Sequence, residues 1–318
     1  MSNALRQVPT RFRAYQLDSH GSSFSYSANG QFTLIEARVT DVSRPRLWEE
    51  LKACGKTTID ELHITSWDND HCNEGDLEWI LRNLVPRRIE YPGYEPHTDC
   101  GRECLKQISR YQQRWAPTHK VVIQRVDPPY ITSLAKAQAL GYQDIIYHPR
   151  RFSDWSNDNS TIKFFRTGAF NVLSLGDVED PGIATLLQNC TTLCREVDVM
   201  ILAHHGADNG FTSRRFLKEL APQLSICSAN FRNQHDHPRQ EIRDLLFEQG
   251  IRLFTTKTGD VLIRSVGGHT MDFRVTNFKA NTDEVSSEYD YRSRKSKLLS
   301  ANQDTVRAVL QPGFRGLR

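Results

Sequence analysis

The feature that most constrains this chain is Ser66-Trp67-Asp68-Asn69-Asp70-His71, set between a short alternating run around Leu62 and Ile64 and an amphipathic segment. In that segment Leu77, Ile80, Leu81 and Leu84 fall at i, i+3, i+4 and i+7, the spacing of a helix with one buried face. The acidic and histidine cluster is therefore expected in a strand-to-helix loop at the end of a sheet, where ligand sites of layered α/β folds gather. Asp, Asn and Ser are also what a helix-start loop prefers, because their oxygens cap free backbone N–H groups. Two further runs shift the balance: Val172–Leu175 leads into Gly176-Asp177, and 197–203 leads into His204-His205-Gly206. Three strand-like runs thus end in residues able to ligate a metal.

At 318 residues the chain is long enough to bury a substantial core without leaning on disulfides. Its seven cysteines are an odd count, and Cys100/Cys104 and Cys190/Cys194 have a spacing suited to one helix face rather than to a zinc ribbon. They read as reduced thiols, the expectation for a cytoplasmic protein. No apolar run reaches the roughly 20 residues needed to cross a bilayer, and Met1–Thr10 lacks the apolar core of a secretory signal. A formal charge of +3 leaves a nucleic-acid partner open, since a local patch matters more than the sum.

Along the chain, Phe12–Leu17, Ser22–Ser27 and Gln31–Ala37 read as a β-meander. Between its first two strands the loop Leu17–Ser23 carries Asp18 and His20. Arg46–Cys54 reads as a helix, and the proline-rich stretch of about 86–160 as an insertion able to cover one side of the site. A second meander is expected over 161–165 and 171–175, then helices at Pro181–Cys194 and Ser213–Leu220, with a hairpin over 251–256 and 261–265. From about residue 279 apolar periodicity is lost, and Arg292–Lys297 is a basic run that reads as a solvated, flexible tail. The expected division is a hydrolase domain over 1–278 and a basic extension over 279–318.

The order of these motifs resembles the metallo-β-lactamase fold, and within it the soluble hydrolase domain of the DNA-uptake protein ComEC, over about residues 12–278. Asp68-Asn69-Asp70-His71 is similar to the tail of that group's H-x-D-x-D-H signature, Gly176-Asp177 to its G-D, and His204-His205-Gly206 to its H-H-G-S. Ser228, Asn233 and His237-Pro238 are similar to its S…N…H-P, and Leu17–Ser23 stands where the group has L-D-V-G-Q-G-D-S. The resemblance implies an αββα four-layer sandwich, two meanders back to back with helices outside, and a site along one edge. It implies metal ligands at Asp68, Asp70, His71, Asp177, His204 and His205, with Asp70, Asp177, His237, Ser228 and Asn233 serving the chemistry.

The chain departs from the pattern where Ser66 takes the place of the first His, Glu36 that of an Asp, and Ala207 that of a Ser. One tightly held divalent ion is expected, with a second held weakly. A carboxylate-rich set with few imidazoles favours Mn²⁺ or Mg²⁺, with Zn²⁺ still open. The activity implied is nuclease or phosphodiesterase action, in which the ion lowers the pKa of a bound water. Two rivals stay open: an ester, thioester or lactone hydrolase on the same fold, and a non-catalytic scaffold that binds a protein partner.

Overall fold

The computed structural model describes residues 8–115, 117, 121–138, 143–267 and 271–296. Strands β1 (Thr10–Ala14), β2 (Phe24–Ala28) and β3 (Gln31–Ile35) form an antiparallel meander. Helix α1 (Ser43–Ala53) then leads to β4 (Glu61–His63), α2 (Glu74–Asn83) to β5 (Arg88–Pro92), and α3 (Asp99–Trp115) to β6 (Val122–Val126), each new strand adding in parallel. Helix α4 (Pro128–Gln138) carries the chain to a second sheet, where β7 (Ile145–His148), β8 (Ile162–Phe165) and β9 (Val172–Ser174) pair antiparallel. Helices α5 (Pro181–Gln188) and α6 (Thr191–Glu196) precede β10 (Val199–Ile201), α7 (Arg214–Leu220) precedes β11 (Leu224–Cys227), and α8 (Gln240–Glu248) precedes β12 (Arg252–Thr255), all parallel. The chain then returns to the first sheet as β13 (Val261–Val266), β14 (Asp272–Phe278) and β15 (Val285–Arg292). The sheets run β15-β14-β13-β1-β2-β3-β4-β5-β6 and β12-β11-β10-β9-β8-β7.

Side-chain alternation along the strands sets the layers. Phe12 and Ala14, Phe24 and Tyr26, Val199 and Ile201, and Leu224 and Ile226 fill one apolar layer between the sheets. Their neighbours point outward: Phe32, Leu34 and Leu62 pack under α1, α2 and α3, while Leu173 and Met200 pack under the second set of helices. The result is the expected αββα four-layer sandwich. No helix among the described residues is long and apolar enough to cross a membrane.

Several expectations are corrected. Each sheet is only half a meander, because helices intervene after β3 and after β9 and a parallel neighbour needs such a crossover. Residues 86–160 are not an inserted cover; they supply β5 together with β6 and β7, each of which forms one edge of its sheet. The expected hairpin is absent, since β12 and β13 lie in different sheets. Between them Gly259 has φ 147°, and a Cβ there would fall 2.1 Å from the Phe278 carbonyl oxygen, so the chain changes sheet at a point only glycine can occupy.

The boundary drawn at 278 also moves. Strand β15 extends the first sheet, and the basic residues behind it dock on carbonyl groups instead of facing solvent. Lys295 Nζ donates to Arg166 O at 2.7 Å and Gly168 O at 2.8 Å, and Arg294 donates to Cys194 O at 2.7 Å and Leu220 O at 2.8 Å. Residues 297–318 lie outside the described residues.

Candidate metal centre

After β4 the chain runs through Thr65–Cys72 and re-enters regular structure at α2, whose N-cap Asn73 accepts from Gly75 N at 3.0 Å and Asp76 N at 3.2 Å. That cap, with the buried Leu77, Ile80 and Leu81 of the helix, fixes where the loop ends. Asp177 follows β9, His204 and His205 follow β10, and the loop carrying Asn233 and His237 follows β11. All of them issue from the carboxyl ends of parallel strands, where strand geometry leaves side chains free to converge.

One ligand atom from each of Asp70, His71, Asp177 and His205 lies within 4.8 Å of all the others. His71 Nε2 is 2.9 Å from Asp177 Oδ2, and His205 Nε2 is 3.1 Å from Asp70 Oδ2 and 3.9 Å from Asp177 Oδ2. His71, Asp177 and His205 are buried, and Asp70 is half-buried at the cleft. His71 Nε2 is buried and, although near Asp177, out of line for a hydrogen bond, so it keeps no such partner. A buried imidazole nitrogen that faces a carboxylate without a hydrogen bond to it has its lone pair free for a cation. The four residues fit a divalent cation.

The electrostatics agree. Burial opposes a charge on His71, yet Asp177, Glu36 and Asp70 outweigh it and hold that imidazole well above its ordinary pKa. His205 is likewise raised, burial being overcome by Asp177 and Asp70. Burial opposes ionisation of Asp70 and Asp177, but His71 and His205 keep both carboxylates below their usual range. Protons on the imidazoles balance the carboxylates here, and a divalent cation would take their place.

Glu36 orients the site. Its Oε1 accepts from the Thr65 hydroxyl at 2.6 Å and lies 3.1 Å from His71 Nδ1, while Oε2 accepts from Thr65 N at 3.0 Å. A carboxylate on the far nitrogen of a ligand histidine fixes its tautomer and raises its basicity. In the sequence Glu36 carried only a motif position, with no sign of this role. His205 is set in the same way by Nδ1, 2.8 Å from Ser228 O.

The remaining candidates stand apart from the four. Asp68 Oδ2 accepts from the Ser66 hydroxyl at 2.9 Å instead of joining the cluster, and burial raises its pKa. His204 pairs through Nδ1 with Glu179 rather than with the cluster, a partner that no motif marked. Ser228 contributes its carbonyl to His205 and donates its hydroxyl to Gly21 O at 3.0 Å. Asn233 braces a loop, accepting from His237 N at 2.6 Å and donating to His237 O at 2.9 Å. His237 lies nearly parallel to His205, with centroids 6.2 Å apart, and burial together with the neighbouring imidazoles pushes its pKa down to about 4.

Among the described residues one other group gathers ligand atoms, Glu61, His63 and Glu90. Lys163 Nζ already bonds to Glu61 and, at 2.7 Å, to Glu90. The ammonium supplies the positive charge there, so the group is an ionic strut between the sheets.

No family profile matches the chain. Among characterised proteins it is similar to Competence protein ComA of Neisseria gonorrhoeae, 22% identical over 217 residues that make up 68% of this chain and 27% of that protein. Among solved structures it is similar to the metallo-β-lactamase fold protein YhfI of Bacillus subtilis, with a TM-score of 0.47 at 10% identity over 80% of this chain and 99% of that one. It is also similar to Tm1679, a metal-dependent hydrolase of the β-lactamase superfamily, with a TM-score of 0.46 at 13% identity over 77% and 95%. The two mixed sheets packed face to face, the outer helices and the His/Asp cluster at the strand ends make the fold an αββα sandwich of the metallo-β-lactamase type.

Proposed function

We propose that this protein is a metal-dependent phosphodiesterase acting on nucleic acid. The observation that carries the reading is the convergence of Asp70, His71, Asp177 and His205 on one point at the strand ends, two carboxylates and two imidazoles within 4.8 Å. The likeness to a competence protein points the same way. A divalent ion supplies Lewis acidity at such a point, making hydroxide available near neutral pH and neutralising charge on an anionic phosphodiester.

The chain's own residues do the rest. Asp70 and Asp177 hold negative charge against burial, so they remain carboxylates throughout the working pH range. Glu36 keeps His71 facing the centre. His237, half-buried at the cleft and neutral at pH 7, offers a hydrogen bond to a phosphate oxygen without adding charge. His20, Ser228 and Asn233 line the same pocket as His205 and His237.

The test is turnover of single-stranded DNA, RNA and bis(p-nitrophenyl) phosphate with Mn²⁺, Mg²⁺ and Zn²⁺, for wild type and Asp177→Ala. The variant should lose at least about a hundredfold, the scale of removing a main electrostatic group. Equal rates for both proteins, or no cleavage by wild type with any of the three ions, would refute the reading.

A further inference from the structure

Two large aromatic side chains stand exposed on the loops that flank the centre. Trp155, on the connection between β7 and β8, is 77% exposed, and Phe231, on the loop after β11, is 72% exposed. Both loops lie at the metal-bearing edge of the second sheet. His148 pairs with Ile162 and Lys163 with Ser174, so the β7–β8 connection meets the end of β9 that leads into Asp177. Strands β11, β10, β9 and β8 are successive neighbours in that sheet, which sets the ends that carry His205 and Asp177 between the two aromatic loops.

Trp155 is held out by a braced loop. Asn159 Oδ1 accepts from Ser153 N at 2.7 Å, and its Nδ2 donates to Ser153 O at 2.8 Å and Trp155 O at 3.2 Å. Asp158 Oδ1 accepts from Glu179 N at 2.9 Å and Asp180 N at 2.8 Å, while Asn157 Nδ2 donates to Glu179 Oε1 at 3.0 Å. Glu179 is also the partner of His204, so the loop is fastened to the wall of the centre. Its polar side chains turn inward and its indole turns out into water. Phe231 is placed in a similar way: Asn233 Nδ2 donates to Asn230 O at 3.1 Å, and Asn230 lines the pocket that His205 and His237 share. Trp67, by contrast, is buried and donates its indole N–H to Tyr94 O at 3.0 Å.

Charge alone does not account for these loops. Arg150 and Arg151 precede Phe152, and Arg232 follows Phe231, but Asp154 and Asp236 lie in the same runs. A duplex is bound chiefly through its phosphates, which calls for a larger basic excess. Unpaired bases offer a flat π-face that matches an exposed ring, whereas the bases of a duplex already stack on one another. Strands about 4.8 Å apart place the ends of β8 and β11 roughly 14 Å from each other. A stacked strand advances about 3.4 Å per nucleotide, so a few nucleotides reach from one ring to the other across the centre.

We propose that Trp155 and Phe231 are base-stacking residues that select single-stranded nucleic acid, seating unpaired bases on either side of the phosphate presented to Asp70, His71, Asp177 and His205. The proposal deepens the phosphodiesterase reading and rests on it, and its test separates the two.

The test is fluorescence anisotropy of labelled oligothymidylate, oligouridylate, an abasic strand of equal length and a DNA duplex, titrated with the full chain in EDTA so that nothing is cut. Wild type should bind at least one of the two base-bearing single strands more tightly than the duplex and the abasic strand. Trp155→Ala and Phe231→Ala should each weaken that strand at least about fivefold, the lower end of what stacking on one base contributes, and leave the duplex and the abasic strand unchanged. Trp155→Phe, which keeps a ring, should recover most of the loss. Phe247→Ala removes a ring that is 86% exposed from the last turn of α8, which leads to the start of β12 at the opposite edge of the sheet, and should change nothing. These rings lie in water, so every variant should keep the wild-type Mn²⁺ affinity and circular dichroism spectrum. Single-strand affinities equal to wild type in both alanine variants, or equal losses on the abasic strand, would overturn the proposal and leave the phosphodiesterase reading standing. So would a dimer in sedimentation that Trp155→Ala dissociates while strand affinity is unchanged, which would assign the ring to a contact between copies. No binding or cutting of any strand by wild type, in EDTA or with Mn²⁺, would overturn both.

Discussion

Adjacent histidines with the same backbone conformation give the sharpest test of the site. His204 and His205 have φ 44° and 51°, so alanine at either position meets the same left-handed strain, and that cost cancels in the comparison. Their surroundings differ. His205 is buried, 3.1 Å from Asp70 and 2.8 Å from Ser228 O, and supplies one of the four converging atoms. His204 is half-buried, lies edge-on to the His237 ring and pairs with the partly exposed Glu179, a pair on the order of 0–1 kcal/mol.

Removing a ligand exceeds the tenfold to hundredfold effect of removing a supporting contact. His205→Ala should therefore weaken the ion by more than about a hundredfold, roughly 2.8 kcal/mol at 1.4 kcal/mol per decade. His204→Ala should stay within about tenfold. Mn²⁺ calorimetry gives the affinities, and turnover of bis(p-nitrophenyl) phosphate should follow the same order. The assignment is refuted if His204→Ala loses the ion while His205→Ala keeps it.

The strut between the sheets should matter for stability and not for ion binding. Lys163→Met leaves Glu61 and Glu90 without their shared cation and should cost about 3–5 kcal/mol in urea unfolding; a loss below about 1 kcal/mol would mean the carboxylates rearrange into water. Burial opposes ionisation of Glu90, but Lys163, His63 and Arg88 hold its pKa well below the ordinary glutamate value of about 4.5. Its contribution to stability is thus fully present above about pH 4.5 and disappears as pH falls through the lower folded value. The stability gap between wild type and Glu90→Gln should be constant from pH 6 to 8 and narrow in stronger acid, and a gap that widened there would contradict the sign.

What could be read from the sequence follows from what each residue touches. The first meander was legible because Phe12, Phe24 and Tyr26 bury one face against the other sheet, which imposes alternation. Helix α2 was legible from its apolar spacing, and Asp70, His71 and Asp177 from ligand-type residues ending strands. The separation of β12 from β13 was not, because Phe254 on one and Val261 and Ile263 on the other enter the same apolar layer from opposite sheets. Their alternation is that of a hairpin. Strand β15 was hidden for the opposite reason: it is mostly exposed, and ion pairs such as Arg274 with Asp290 and Arg292 with Asp272 join it to β14 beside a single ring stack of Tyr291 on Phe273, too little apolar surface to show as alternation. The choice between His204 and His205 depends on two left-handed residues in succession, a conformation no spacing encodes.

The charge balance of the centre bears on whether it binds a cation or merely persists as packing. Glu36, Asp70 and Asp177 face His71 and His205, so even with both imidazoles protonated the group carries one negative charge in excess. Glu36, Asp177 and both histidines are buried, and desolvating charge is costly unless it is paired. Apolar residues of similar volume would fill the same space at no such cost. A site of this composition is therefore stabilised most by a species with more than one positive charge, small enough to stand between atoms 4.8 Å apart or less. Protons on both imidazoles supply the same charge as a divalent ion, but each one occupies the nitrogen lone pair that a cation would use. A divalent ion instead concentrates that charge at one point shared by both carboxylates and both imidazoles, which neither protonation nor apolar packing does.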